Sequence, residues 1–124
     1  MVSPDGRWIA SGGAGGTIRL WHVDTGDWRL TLKGHASDVY ALAFSPDGTH
    51  LTAAGRDGCV HVWRLPGGSE VYEAHVSKRR LRGVAYSHDG QQIIAAGEDR
   101  KIHVLDAVSG TELFQLPVRA AKVL

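Results

Sequence analysis

The feature that most constrains this chain is a repeat of 42 residues. Ser-Pro-Asp-Gly stands at 3–6 and again at 45–48, and Ser-His-Asp-Gly follows at 87–90. The same step superposes Gly13, Gly55 and Gly97, then Trp21, Trp63 and Leu105, then Gly26, Gly68 and Gly110. Without a gap, residues 39–68 match residues 81–110 at 11 of 30 positions, and many of the identities fall on turn residues. A repeat of this length is one supersecondary unit that buries its apolar face only against a neighbouring copy. The 124 residues hold just under three such units.

Each unit reads as four short strands. Val39–Phe44 is largely apolar and ends at a Pro-Asp-Gly turn. A second strand near His50–Gly55 stops at Arg56-Asp57-Gly58, and Val60-His-Val-Trp63 is β-rich and alternating. Pro66-Gly67-Gly68 then breaks the chain before a weaker strand near Glu70–Tyr72. The third unit repeats this with Leu81–Tyr86, Gln92–Gly97, Ile102–Leu105 and Glu112–Leu116. No stretch sustains an apolar period of 3.6, so helices are not expected. Sixteen glycines against four prolines agree with many tight turns.

Composition narrows the function classes. Hydrophobic residues are 43% of the chain, which speaks against disorder. The net charge of +1 gives no strong field to draw in nucleic acid or an anionic membrane. Cys59 is the one cysteine, so no internal disulfide holds the fold. No apolar run is long enough to span a bilayer and no secretory leader stands at the start, so the expected setting is cytoplasmic, away from membrane. No Gly-rich phosphate loop and no nucleophile motif appears; neither an enzyme nor a cofactor is expected.

Four short strands per period is the pattern of a propeller blade, and here a resemblance becomes specific. Gly34-His35, Phe44-Ser-Pro-Asp-Gly48, Gly55-Arg-Asp-Gly58 and Val60-His-Val-Trp63 together resemble a WD-repeat. Ile9-Ala-Ser-Gly-Gly13 and Thr17-Ile-Arg-Leu-Trp21 carry it in the first unit, and Ala74-His75 and Leu105-Asp106 in the third. The resemblance implies an all-β chain of antiparallel four-stranded blades from a WD-repeat β-propeller. About three blades are expected: 1–34, lacking its inner strand; 35–74; 75–117; and a residual 118–124 that starts the next unit or forms a tail.

The resemblance also implies a hydrogen-bonded tetrad in each blade: His before the inner strand, Asp in the second turn, a hydroxyl residue on the second strand and Trp on the third. Position by position, the second blade offers His35, Asp57 and Trp63, with Ala53 in the hydroxyl place. The third offers His75 and Asp99, with Ala95 and Leu105 elsewhere. The first offers Ser11 and Trp21, with Gly15 for Asp. A catalytic reading of the His and Asp pairs is set aside, because they recur at the repeat period with no Ser or Cys nucleophile recurring beside them. His61 and His103 occupy one place on successive third strands; a single such ligand per blade does not suggest a compact metal site, and none is expected. A structural or merely exposed role is expected for Cys59 rather than reactivity. Trp8 and Trp28 have no repeat counterparts and suit blade edges or an exposed contact.

In the family, partners meet residues at the start of the inner strand and just before the turn Asp. Those places hold Asp38, Tyr40 and Arg56 in the second blade, Arg80, Arg82 and Glu98 in the third, and Ala14 in the first. Lys78, Arg79, Arg80 and Arg82 form the single basic cluster. It lacks interleaved aromatics, so nucleic acid is not the expected partner; a steep salt dependence of binding would indicate otherwise. Three blades do not close a ring, so a segment of a longer propeller, or self-association completing a ring, is expected. The functional expectation is a non-catalytic scaffold for protein–protein interaction. The alternatives are a regulatory module of a kinase or ATPase whose catalytic part lies outside this sequence, and phosphate or nucleic-acid binding through the loop at 78–82.

Overall fold

The computed structural model describes residues 1–24, 28–32 and 37–117, with 28–30 described through their backbone alone. Eleven strands are found among them. β1 (Trp8–Gly12), β2 (Ile18–His22) and β3 (Trp28–Leu32) form the first sheet. β4 (Val39–Phe44), β5 (His50–Gly55), β6 (Cys59–Arg64) and β7 (Ser69–His75) form the second. β8 (Leu81–Tyr86), β9 (Gln92–Gly97), β10 (Lys101–Asp106) and β11 (Glu112–Pro117) form the third. Each sheet is an antiparallel meander in chain order, so every blade is local in sequence. The described residues are all-β, in three separate sheets that do not close on themselves. No helix among the described residues is long and apolar enough to cross a membrane.

The turns explain the register. Ser45 donates from Oγ to Asp47 Oδ1 at 2.6 Å, and the N–H of Thr49 reaches the same oxygen at 3.0 Å. The N–H of His50 returns to Ser45 Oγ at 3.0 Å, and Gly48 takes the positive φ of 74° that the tight turn needs. The same serine–aspartate clasp closes the turns at Ser3–Asp5 and Ser87–Asp89. It holds the Asp47 carboxyl down at about 2, mainly through the Ser45 hydroxyl and the Thr49 N–H. The repeated tetrapeptide therefore fixes the hairpin between the first two strands of a blade. In the first blade only its end is present: Val2 bridges Ile9, and the N–H of Ala10 donates to Met1 O at 2.8 Å.

The core lies between blades. Ala10, Ile18, Leu20 and Leu32 of the first blade pack with Val39, Phe44, Leu51, Ala53, Trp63 and Leu65 of the second. The other face of the second blade, through Ala54, Val60 and Val62, packs with Leu81, Ile93, Ala95 and Leu105 of the third. Trp63 and Leu105 thus stand at equivalent places in two successive junctions. β5 and β6 are buried on both faces, because the second blade has a neighbour on each side. The inner strands of the second and third blades line up, β4 against β8, and β4 also meets β1, the second strand of the first blade. One face of the third blade has no such neighbour among the described residues: Ile94, Phe114 and Leu116 are 36%, 48% and 48% exposed. Phe114 and Leu116 are the counterparts of Tyr72 and Ala74, which join the packed junction between the second and third blades.

Candidate functional site: a charged and aromatic rim across two blades

The rim is built at the starts of β4 and β8 and at the turns that follow β5 and β9. Gly55 and Gly97 bring these pieces close. A Cβ on Gly55 would stand 2.0 Å from Asp38 O, and one on Gly97 would stand 2.1 Å from Arg80 O. Glycine there lets the N–H of Arg56 reach Asp38 O at 3.0 Å and that of Glu98 reach Arg80 O at 2.9 Å. The backbone therefore delivers the side chains of Asp38 and Arg56, and of Arg82 and Glu98, to one edge of their blades.

Those side chains pair within their blades, and two further contacts cross a junction. Arg82 donates from Nε and Nη2 to Glu98 Oε2, at 3.1 and 2.7 Å. Its guanidinium carbon also lies 4.7 Å from the ring centroid of Tyr40, a residue of the second blade. Arg56 Nη1 stands 3.9 Å from Asp38 Oδ2, and Asp38 Oδ1 accepts the N–H of Gly15 from the first blade at 3.0 Å. Of the residues singled out from sequence, Asp38 meets Arg56, and Arg82 meets Glu98 and Tyr40. Arg80 contributes its carbonyl, and Ala14 lies exposed beside Gly15. Within the basic loop, Lys78 is exposed and Arg79 Nη1 reaches Glu98 O at 3.5 Å. Arg82 has its charge matched by Glu98, so the cluster presents less free positive charge than its sequence shows.

The residues expected to brace the blades fall differently. Trp21 donates from Nε1 to Ser11 Oγ at 3.3 Å. Trp63 is wholly buried and stacks on His61 with ring centroids 5.8 Å apart. His35 lies outside the described residues, and so does its expected pairing with Asp57. The expected pairing of His75 with Asp99 is replaced by another. β7 runs through His75, whose register partner is Cys59, and this holds the ring on the second blade. Its Nδ1 is 3.4 Å from Cys59 Sγ. Asp99 instead receives His103 Nε2 at 2.6 Å, and His103 Nδ1 meets Glu112. Trp8 packs on the first junction and stands edge-on to His22, its ring centroid 5.3 Å away; the Trp28 side chain lies outside the described residues.

His103 and His61 are the functional-looking residues that the sequence reading passed over. Both are buried, and each lies between a turn carboxylate four residues before it and a fourth-strand glutamate nine residues after it. The signal was present: Asp57, His61 and Glu70 become Asp99, His103 and Glu112 at the repeat step. Burial pushes the Asp99 and Glu112 carboxyls up, but hydrogen bonds and nearby positive charge outweigh it and both end below their ordinary values. Cys59 is pushed the other way, up to about 12, by burial and by the charges of Asp57 and Glu73.

A second edge carries a groove of about 360 Å³ between the second and third blades, bordered by Asp47, His50, Arg64, Tyr86 and Asp89. Asp47 and Asp89 are already engaged in their turns, so this edge offers less directed chemistry than the rim.

The WD domain, G-beta repeat family matches residues 2–22 and 26–64. The family described as the anaphase-promoting complex subunit 4 WD40 domain matches residues 57–124, more than half of the chain. Among solved structures, the chain is similar to the RRP9 WD40 repeats at 23% identity and a TM-score of 0.89, over 94% of this chain and 37% of that one. It is similar to U3-55K at 23% identity and a TM-score of 0.90, over 94% of this chain and 38% of that one. At such identity the likeness concerns the fold. No curated protein sequence matches.

Proposed function

The chain belongs to the WD40-repeat family, and we propose that its blades act as a non-catalytic scaffold that binds a protein partner through the rim of Asp38, Tyr40, Arg56, Arg82 and Glu98. One observation carries the reading: Arg82 of the third blade bridges Glu98 of its own blade and Tyr40 of the second. Tyr and Arg are the side chains most often found as binding anchors. Holding them in place before contact lowers the ordering cost of association. Asp38 and Arg56 extend the rim with one charge of each sign, which suits a polar peptide segment that offers both an acidic and a basic group. The uncovered apolar face at Ile94, Phe114 and Leu116 suits a further blade of the same kind, which supports reading these blades as part of a longer propeller.

The test is affinity capture from the source organism's own extract with quantitative mass spectrometry. Arg82→Ala with Tyr40→Ala is expected to lower specific partner recovery at least tenfold, an effect of about 1.4 kcal/mol or more. The thermal midpoint should move little, because both side chains are exposed or half-buried. Unchanged recovery with an unchanged fold sinks the reading. A loss that appears only as salt rises, shared equally by nucleic acid, would point to charge alone.

A further inference from the structure

A second cluster lies in the second blade and takes no part in the rim. Strand register assembles it. In the β6–β7 pair, Cys59 stands opposite His75 and His61 opposite Glu73. Opposed residues share a face of the sheet, as do residues two apart on one strand. Asp57 reaches the same place from the turn before β6. One ligand atom each from Asp57, Cys59 and His61 lie within 4.8 Å of one another. Cys59 Sγ is 3.4 Å from His75 Nδ1, and His61 Nε2 is 3.6 Å from Asp57 Oδ2. The other ring nitrogen of His61 faces Glu70 Oε1 at 3.3 Å.

The neighbouring blades show what is different here. In the third blade the matching residues are Asp99, Lys101, His103 and Pro117, and His103 is drawn tightly to its carboxylate, 2.6 Å against 3.6 Å for His61. Lys101 stands where Cys59 does, and Arg19 of the first blade stands where His61 does. Each outer blade thus carries a permanent cation on this stretch of its third strand. The second blade carries none there, and adds Glu73 to Asp57 and Glu70.

We propose that Asp57, Cys59 and His61 form a binding site for a divalent cation of the zinc class, with His75 supporting the Cys59 sulfur from beside it, and that the ion supplies the charge that the outer blades carry on side chains. Zinc bonds of roughly 2.3 Å to sulfur and 2.0–2.1 Å to nitrogen place tetrahedral ligands about 3.3–3.6 Å apart. His61 Nε2 and Asp57 Oδ2, 3.6 Å apart, already stand at about that spacing. A thiolate with an imidazole favours zinc over magnesium or calcium, which take oxygen ligands. Glu70 fixes the His61 ring by its far nitrogen, the usual supporting contact of a ligating histidine. On binding, the Cys59 thiol gives its proton to solvent and its sulfur pair to the metal.

The full chain, stripped with a chelator, is titrated with Co²⁺ as a spectroscopic probe and with Zn²⁺ by calorimetry. One ion per chain is expected, with tetrahedral cobalt bands and a thiolate-to-cobalt charge-transfer band. Cys59→Ser should abolish that band. His75→Ala should weaken binding about 10–100-fold, the usual range for a metal-site contact. His75 is exposed, so this variant is expected to fold and keeps the test decisive even where Cys59→Ser does not. Zn²⁺ should also raise the thermal midpoint of the unaltered chain more than that of His75→Ala. No saturable binding, or binding that both substitutions leave unchanged, overturns the proposal.

Discussion

Gly58→Ala is expected to destabilise the chain by more than about 3 kcal/mol, a large share of the 5–15 kcal/mol of a typical domain. The residue sits in the turn between β5 and β6 with φ of 74°. A Cβ there would stand 1.9 Å from Ser77 O and 2.8 Å from Arg79 O. These are backbone atoms, and the segment they belong to is tied to the same turn: the N–H groups of Val76 and Ser77 both donate to Gly58 O, at 3.0 and 3.1 Å. Making room means pulling the 76–79 loop away. That loses two hydrogen bonds at about 1 kcal/mol each, on top of a left-handed penalty of about 1–2 kcal/mol. The third blade separates the two causes. Arg100, the counterpart of Gly58, holds φ of 60° with a side chain attached. Positive φ is therefore tolerable in this turn, and crowding by the loop is what makes Gly58 necessary. Arg100→Gly should gain at most about 1 kcal/mol from relief of the left-handed backbone. Gly67→Ala, with open space around its Cβ and no positive φ, should be neutral or slightly stabilising. Urea unfolding of the three variants checks the order; a Gly58→Ala loss below about 1 kcal/mol would show that the loop yields easily.

That crowding shows where the sequence was legible and where it was not. The glycines at 13, 55 and 97 and the Ser-Pro-Asp-Gly turns announced the hairpins, because a turn's chemistry is local. The strand limits from β4 to β11 consequently agree with the sequence reading to within a few residues. The rim was legible for a related reason: register alone puts Tyr40, Arg56, Arg82 and Glu98 at matching places of successive units. What register does not reveal is that Arg82 crosses a junction to Tyr40, since that depends on how two sheets pack.

His75 shows the opposite failure. Ala74-His75 resembles the Gly34-His35 that precedes the inner strand of the second blade, and on that likeness it belonged with Asp99. Strand pairing decides otherwise, because β7 extends far enough to set His75 against Cys59. His61 and His103 were set aside because one such ligand per blade does not suggest a compact metal site. That reasoning counted histidines from blade to blade and left out the carboxylates around each ring. A middle blade has neighbours on both sides, and β6 is buried throughout except at Arg64. The carboxylates flanking each histidine come from different strands, so they are visible only once the 42-residue step is applied to all three residues together.

Asp99→Ala is expected to cost about 2–3 kcal/mol near neutral pH, the range for hydrogen bonds to charged groups with one partner left buried. His103 is 2% exposed and Asp99 17%, so solvent does little to replace the lost contact. Glu112→Ala should cost less, because its carboxylate is 35% exposed and screened. The pH dependence has a definite sign. Burial raises both carboxyls, but the bonds to His103 and their other partners prevail, and each folded value lies below its ordinary one of 3.8 for Asp99 and 4.5 for Glu112. A depressed carboxyl stabilises the fold above the unfolded value and loses that contribution as pH falls through the folded one. The advantage of the unaltered chain over Asp99→Asn and Glu112→Gln should therefore be full at neutral pH and shrink as acid is added below about pH 4. Thermal melts across that range read it directly, and the double substitution should fall short of the sum of the singles, since both carboxylates hold one ring. A stability difference that stays flat with pH would mean that His103 is held by packing on β9 and β11 and not by its two carboxylates.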